Sequence, residues 1–156
     1  RSDKMTAPRY QEVKAEQIPL ASLENGVKIR VICGEVAGVS GPVEQVMISP
    51  VYADVDIPAG GEWISPTPAG HTVIAYVFEG EGELAPGAGM AGNHSLVLFE
   101  DGEQIRVKAG AGGVRFLYIS GRPLREPVAW YGPIVMNTSE ELQTAMRELR
   151  AGTFIK

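Results

Sequence analysis

The stretch Thr72-Val73-Ile74-Ala75-Tyr76-Val77-Phe78, followed at once by Glu79-Gly80-Glu81-Gly82, decides how the fold reads. It is almost wholly apolar, rich in β-branched and aromatic residues, and short. It therefore reads as a central strand buried on both faces and closed by a glycine turn. Working outward, Val27, Ile29 and Val31 alternate with Lys28 and Arg30. Val51, Ala53, Val55 and Ile57 alternate with Tyr52, Asp54 and Asp56, and Ile105, Val107 and Ala109 with Gln104, Arg106 and Lys108. Alternation of period two marks strands with one face on a core. Residues 96–99 and 114–120 add two more strands. Pro58-Ala59-Gly60-Gly61, Asp101-Gly102 and the glycine-rich residues 110–113 read as turns between them.

The chain of 156 residues holds 19 glycines and 11 prolines. That punctuation suits roughly eight to ten short strands. One segment reads as a helix. Thr138 and Glu141 form a capping box, Leu142, Ala145, Met146 and Leu149 share one face, and Gly152 closes the end. With no crossover helices, the expected class is all-β, a jelly-roll sandwich or barrel with a C-terminal α-helix. The glycine-rich residues 85–92 read as a mobile surface loop.

Charge and composition narrow the function classes. The net charge of -5 excludes a broad basic face for nucleic acid. The single cysteine, Cys33, excludes an intrachain disulfide, and the two histidines, His71 and His94, exclude a histidine-rich metal or catalytic cluster. There is no signal peptide and no membrane-spanning apolar run, so a cytoplasmic location is expected. Residue 1 is Arg, not Met, which suggests a processed or cleaved start and a longer gene product.

The segment Gly121-Arg122-Pro123-Leu124-Arg125-Glu126-Pro127-Val128-Ala129-Trp130-Tyr131-Gly132-Pro133-Ile134-Val135-Met136-Asn137-Thr138 resembles the closing segment of the pirin family. The stretch Lys4-Met5-Thr6-Ala7-Pro8-Arg9-Tyr10-Gln11 resembles the link between the two pirin domains. Ile18-Pro19, Gly26-Val27-Lys28-Ile29-Arg30-Val31, Gly34 and Gly41-Pro42-Val43 resemble the start of the second domain. Ile134 departs from the Phe common in the family, another apolar side chain. The resemblance implies a cupin jelly roll, the second of two, without the first cupin and its iron site of three histidines and a glutamate. It divides the chain into a link-like extension over residues 1–20, a cupin barrel over 21–137, a helix over 138–151 and a tail over 152–156.

Cupins place His-x-His-x-x-x-Glu before a strand ending in Glu-Gly. Anchored on Gly80, those positions fall near Thr67, Ala69 and Val73, with a fourth near Gly113 or Val114. None is a good ligand for a divalent transition metal. No cofactor is expected, and flavonol oxygenation and binding to transcription regulators, the activities of the family, do not carry over by residue.

Several side chains remain candidates for contact or chemistry. His71 reads either as an acid/base at the barrel mouth, partnered by Glu62 or Glu79, or as a residue tying a turn to a strand. His94 reads as an exposed or turn-capping residue, Cys33 as a buried structural thiol. Glu79, Glu81 and Glu83 read as an outward acidic face. Trp63, Tyr76, Trp130 and Tyr131 either line a small apolar pocket or fill the core. Arg122 and Arg125 either bind an acidic partner or pair internally with Glu126. Leu142, Met146 and Leu149 mark a docking face on the helix. The expected function is a metal-free structural or interaction module that self-associates or receives a partner domain on that helix. The alternatives are half of an iron-dependent oxygenase and a small-molecule binder using the barrel interior.

Overall fold

The computed structural model describes residues 6–7 and 9–154. Lys4, Met5 and Pro8 of the link-like stretch lie outside the described residues, as do residues 155–156 of the tail. The strands follow in order as β1 (Leu20–Ser22), β2 (Lys28–Cys33), β3 (Glu35–Val36), β4 (Val39–Ser40), β5 (Val51–Ile57), β6 (Glu62–Pro66), β7 (Thr72–Glu83), β8 (Met90–Gly92), β9 (Leu96–Leu98), β10 (Gln104–Gly121), β11 (Ala129–Tyr131) and β12 (Ile134–Met136). A single α-helix, α1 (Ser139–Ala151), closes the described chain.

The chain clusters into two compact units, one over Tyr10–Pro123 and a smaller one holding residues 124–154. The larger is an antiparallel sheet of eight strands ordered β1-β2-β5-β10-β7-β8, with β6 added on β10 and β9 on β7. Alternation builds its core as expected. Val27, Ile29, Val31, Val55, Ile57 and Val107 are fully buried, while Lys28 and Arg106 face outward. The one inversion is Asp54, only 9% exposed. Arg115 donates two hydrogen bonds to its carboxylate, from Nε at 2.8 Å and from Nη2, and Arg30 adds an ion pair at 3.6 Å. A buried charge is tolerated when it is paired in this way.

Three expectations need correction. The segment at 72–78 is not buried on both faces: Val73, Ala75 and Val77 point inward, while Ile74, Tyr76 and Phe78 are half-exposed. Its glycines do not end it. Glu79-Gly80-Glu81-Gly82 lies inside β7, and residues 110–113 lie inside β10. The two long strands pair along their length, with a register shift between Ala109 and Val114. Gly80 and Gly113 take φ of +70° and +85°, and a Cβ on Gly80 would strike the Gly113 carbonyl. These glycines make bulges that bend one sheet around its core, the same conformational freedom that a turn would use. Finally, the 85–92 segment is not wholly loop, because its last residues form β8 against β7.

In the smaller unit α1 packs on the hairpin β11–β12. Its expected capping box is present: the Thr138 hydroxyl accepts from the Glu141 N–H at 3.2 Å, and the Glu141 carboxylate accepts from the Thr138 N–H at 3.1 Å. Gly152 ends the helix at φ +73°. Among the described residues no helix is long and apolar enough to cross a membrane.

Candidate functional site

Two concave features stand out, one in each unit. The first is a cleft of about 350 Å³ at the mouth of the barrel. Val36, Val51, Pro66, Pro68 and the ring of Tyr118 give it apolar walls, and Glu35, Ser65 and Thr67 add polar groups. Alternation explains why Ser65 faces inward: Trp63 and Ser65 are the two buried residues of β6. The same rule turns Phe116, Tyr118 and Ser120 of β10 inward, at 0%, 1% and 1% exposure. Burial pushes the Tyr118 phenol above its ordinary pKa of 10.0, and interaction with Ser120 partly offsets this.

The expected cupin ligand positions do not gather at this cleft: β7 and β10 pair Val73 with Ser120 but Val114 with Gly80, well apart along the two strands. Thr67 lines the cleft, but its hydroxyl donates to the Gly102 carbonyl at 2.8 Å. Val73 and Val114 are buried apolar side chains, and Ala69 has no donor atom. Trp63 meets Tyr118 edge to face at a ring-centroid distance of 5.4 Å and lies tilted against Phe116 at 5.9 Å. The iron that the family resemblance brings with it does not fit this donor set. Among the described residues there is no group of three or more His, Cys, Asp or Glu arranged to hold a metal.

The other candidates disperse. His71 is half-buried with Nδ1 3.5 Å from the Ser120 hydroxyl, and its backbone N–H donates to the Pro68 carbonyl. It has neither proposed carboxylate partner. Glu62 instead accepts from Arg106 at 2.8 Å, and Glu79 lies 3.8 Å from Arg115. His94, at φ +67°, places Nδ1 3.3 Å from the Tyr76 hydroxyl on the outer side of β7. Trp63 is 2% exposed core, so it is not a pocket-lining residue. Cys33 is buried and its thiol donates to the Val43 carbonyl at 3.2 Å; desolvation pushes it above the ordinary thiol pKa. Such a thiol is a poor nucleophile. Arg122 donates to the Met47 carbonyl at 3.3 Å, and Glu126 accepts from Asn137 at 2.9 Å. Arg125 is exposed with φ +52°.

The sequence reading missed Ser65, Tyr118 and Ser120. The signal was available: each is a polar-tipped residue in phase with the buried set of its strand.

The second feature is a groove of about 560 Å³ in the smaller unit, between the hairpin and α1. Trp130, Tyr131, Leu142 and Met146 line it, with Arg147 and Arg150 at its edge. Ala145 is the helix residue buried against the hairpin. Trp130 is 73% exposed, Tyr131 64% and Leu149 46%.

The fold is that of a cupin. Comparison with known proteins sharpens the class. The pirin C-terminal cupin domain family matches residues 52–155. The chain is 37% identical to mouse pirin, covering 96% of this chain and 52% of that protein. It is 36% identical to a pirin-like protein of Caulobacter vibrioides, covering 97% of this chain and 54% of that one. A solved structure, quercetin 2,3-dioxygenase from Acinetobacter baumannii, matches with a TM-score of 0.87 at 31% identity, over 98% of this chain and 53% of that chain. This chain belongs to the pirin family, as a C-terminal cupin. It spans about half the length of the curated relatives it matches.

Proposed function

We propose that the chain is a non-catalytic cupin, a structural and interaction module that associates with a second copy through the groove beside α1. The observation that carries this reading is the lack of donors at the expected ligand positions. Anchored on Gly80, the positions where a cupin oxygenase needs imidazole and carboxylate fall near Thr67, Ala69, Val73 and Gly113 or Val114. What the chain offers instead is exposed apolar surface on Trp130, Tyr131 and Leu149. Apolar patches of this kind mark interaction sites.

Symmetry favours a second copy as the occupant, since two-fold dimers are the commonest closed assembly. Two copies related by a two-fold axis would set their helices antiparallel. Leu142 of each then faces Met146 of the other across the seam. Such a contact is self-complementary and closes as a dimer. Light scattering across a concentration series should give the mass of two chains. Met146→Asp should weaken the dimer about fivefold or more. Leu149→Asp should weaken it further, since a carboxylate in an apolar contact is costly. A single-chain mass throughout the series would refute the reading.

A second reading rests on the solved relative named quercetin 2,3-dioxygenase and on the half-length match. In it, this cupin is the metal-free half of a larger oxygenase whose other half holds the iron. Reading the gene upstream of residue 1 tests it: a histidine-rich cupin in frame would support it, and a stop without one would reject it.

A further inference from the structure

We infer that the cleft at the barrel mouth binds a small uncharged one-ring compound that presents a single hydroxyl or amide edge to Ser65. This goes beyond the docking role, involves the other unit of the chain, and stands or falls separately from it. The first observation is an unused polar group. Ser65 is 7% exposed, yet its hydroxyl has no hydrogen-bond partner among the described residues. The hydroxyl is not sealed off, since it is not among the fully buried side-chain atoms that lack a partner, and Ser65 lines the cleft, where a ligand's polar edge would take the place of water. Thr67 has given its proton to the Gly102 carbonyl and can only accept, so Ser65 is the hydroxyl on the cleft with a proton left to donate to a ligand.

The second observation is shape and lining. At about 350 Å³ the cleft lies at the small end of ligand pockets, with room for one substituted ring. Its walls are the Tyr118 ring, two prolines and two valines, flat or branched apolar surfaces that suit a ring in contact along its faces. The third observation is charge. Glu35 is the charged residue that lines the cleft, and no Lys, Arg or His does. An anion would meet that carboxylate with nothing to compensate it, whereas a neutral ring would not. The mouth thus holds a partly apolar cleft with one hydroxyl left to donate.

Trp63 supplies the readout, since its ring lies 5.4 Å from that of Tyr118. The chain has two tryptophans, so Trp130→Phe leaves Trp63 as the reporter. In that background, benzyl alcohol and benzamide should each change Trp63 fluorescence saturably and shift amide resonances of β3, β6 and β10. Benzoate should bind about tenfold more weakly or worse, and Glu35→Gln should narrow that gap. Ser65→Ala, a small change that preserves the fold, should weaken both neutral probes about fivefold. Val36→Phe should abolish binding by filling the cleft. No saturable response to either neutral probe up to its solubility limit overturns the proposal. So does binding that is unchanged in folded Ser65→Ala protein, or benzoate binding as tightly as benzamide.

Discussion

Tyr118 and Cys33 show how single buried groups couple the fold to pH. In the unfolded chain the thiol ionises near 9.0 and the phenol near 10.0. Burial raises both in the folded protein, so the folded state keeps protons that the unfolded state has lost. Stability is therefore fully present below the thiol's unfolded value and falls as pH rises through these two values. The thermal unfolding midpoint should be flat toward neutrality on this account and decline at alkaline pH. Tyr118→Phe should flatten the upper part of the decline and Cys33→Ser the lower part. Unaltered alkaline slopes in both variants would show that neither group carries the effect. The Asp54 cluster works differently. Its carboxylate holds Arg115, whose guanidinium also lies 5.1 Å from the Phe78 ring, and the pairing raises the Arg115 pKa further.

At the level of elements, the long strands depend on glycine where they bend. Gly80 combines a positive φ with a backbone carbonyl in the space a Cβ would take, whereas Gly87 has a positive φ and open space around it. Gly80→Ala should therefore cost about 2–3 kcal/mol or more, against about 1 kcal/mol for Gly87→Ala, by urea denaturation. Equal costs would mean that the crossing of β7 and β10 is not the constraint. The helix rests on its cap. Thr138→Ala removes the acceptor for the Glu141 N–H and should cost α1 about 1 kcal/mol. Loss of helical circular dichroism on warming should come earlier in that variant, and Thr138→Asp should recover most of the loss.

At the scale of the whole molecule, the proposed lack of metal ligands sets what the chain should do with oxygen. After exhaustive dialysis, elemental analysis should find no stoichiometric iron, zinc or copper. Oxygen uptake with quercetin and added Fe(II) should match the protein-free rate. One transition metal held per chain, or uptake that scales with protein after free iron is removed, would refute this. The sequence by itself determined the core faces of β2 and β5, the helix with both its caps, and the family. Those features are local: a period of two, a capping spacing and a quoted run of residues need no partner from far along the chain. Only the tertiary structure decided the rest. Glycine takes a positive φ in a turn and in a bulge alike, so 79–82 and 110–113 read as turns until β7 and β10 were seen to pair through them. Likewise His71, Glu62 and Glu79 carry the right chemistry for a site, but long-range pairing gives each carboxylate to an arginine. The same pairing gathers Ser65, Tyr118 and Glu35 at one mouth, because strands distant in sequence become neighbours only when the sheet closes.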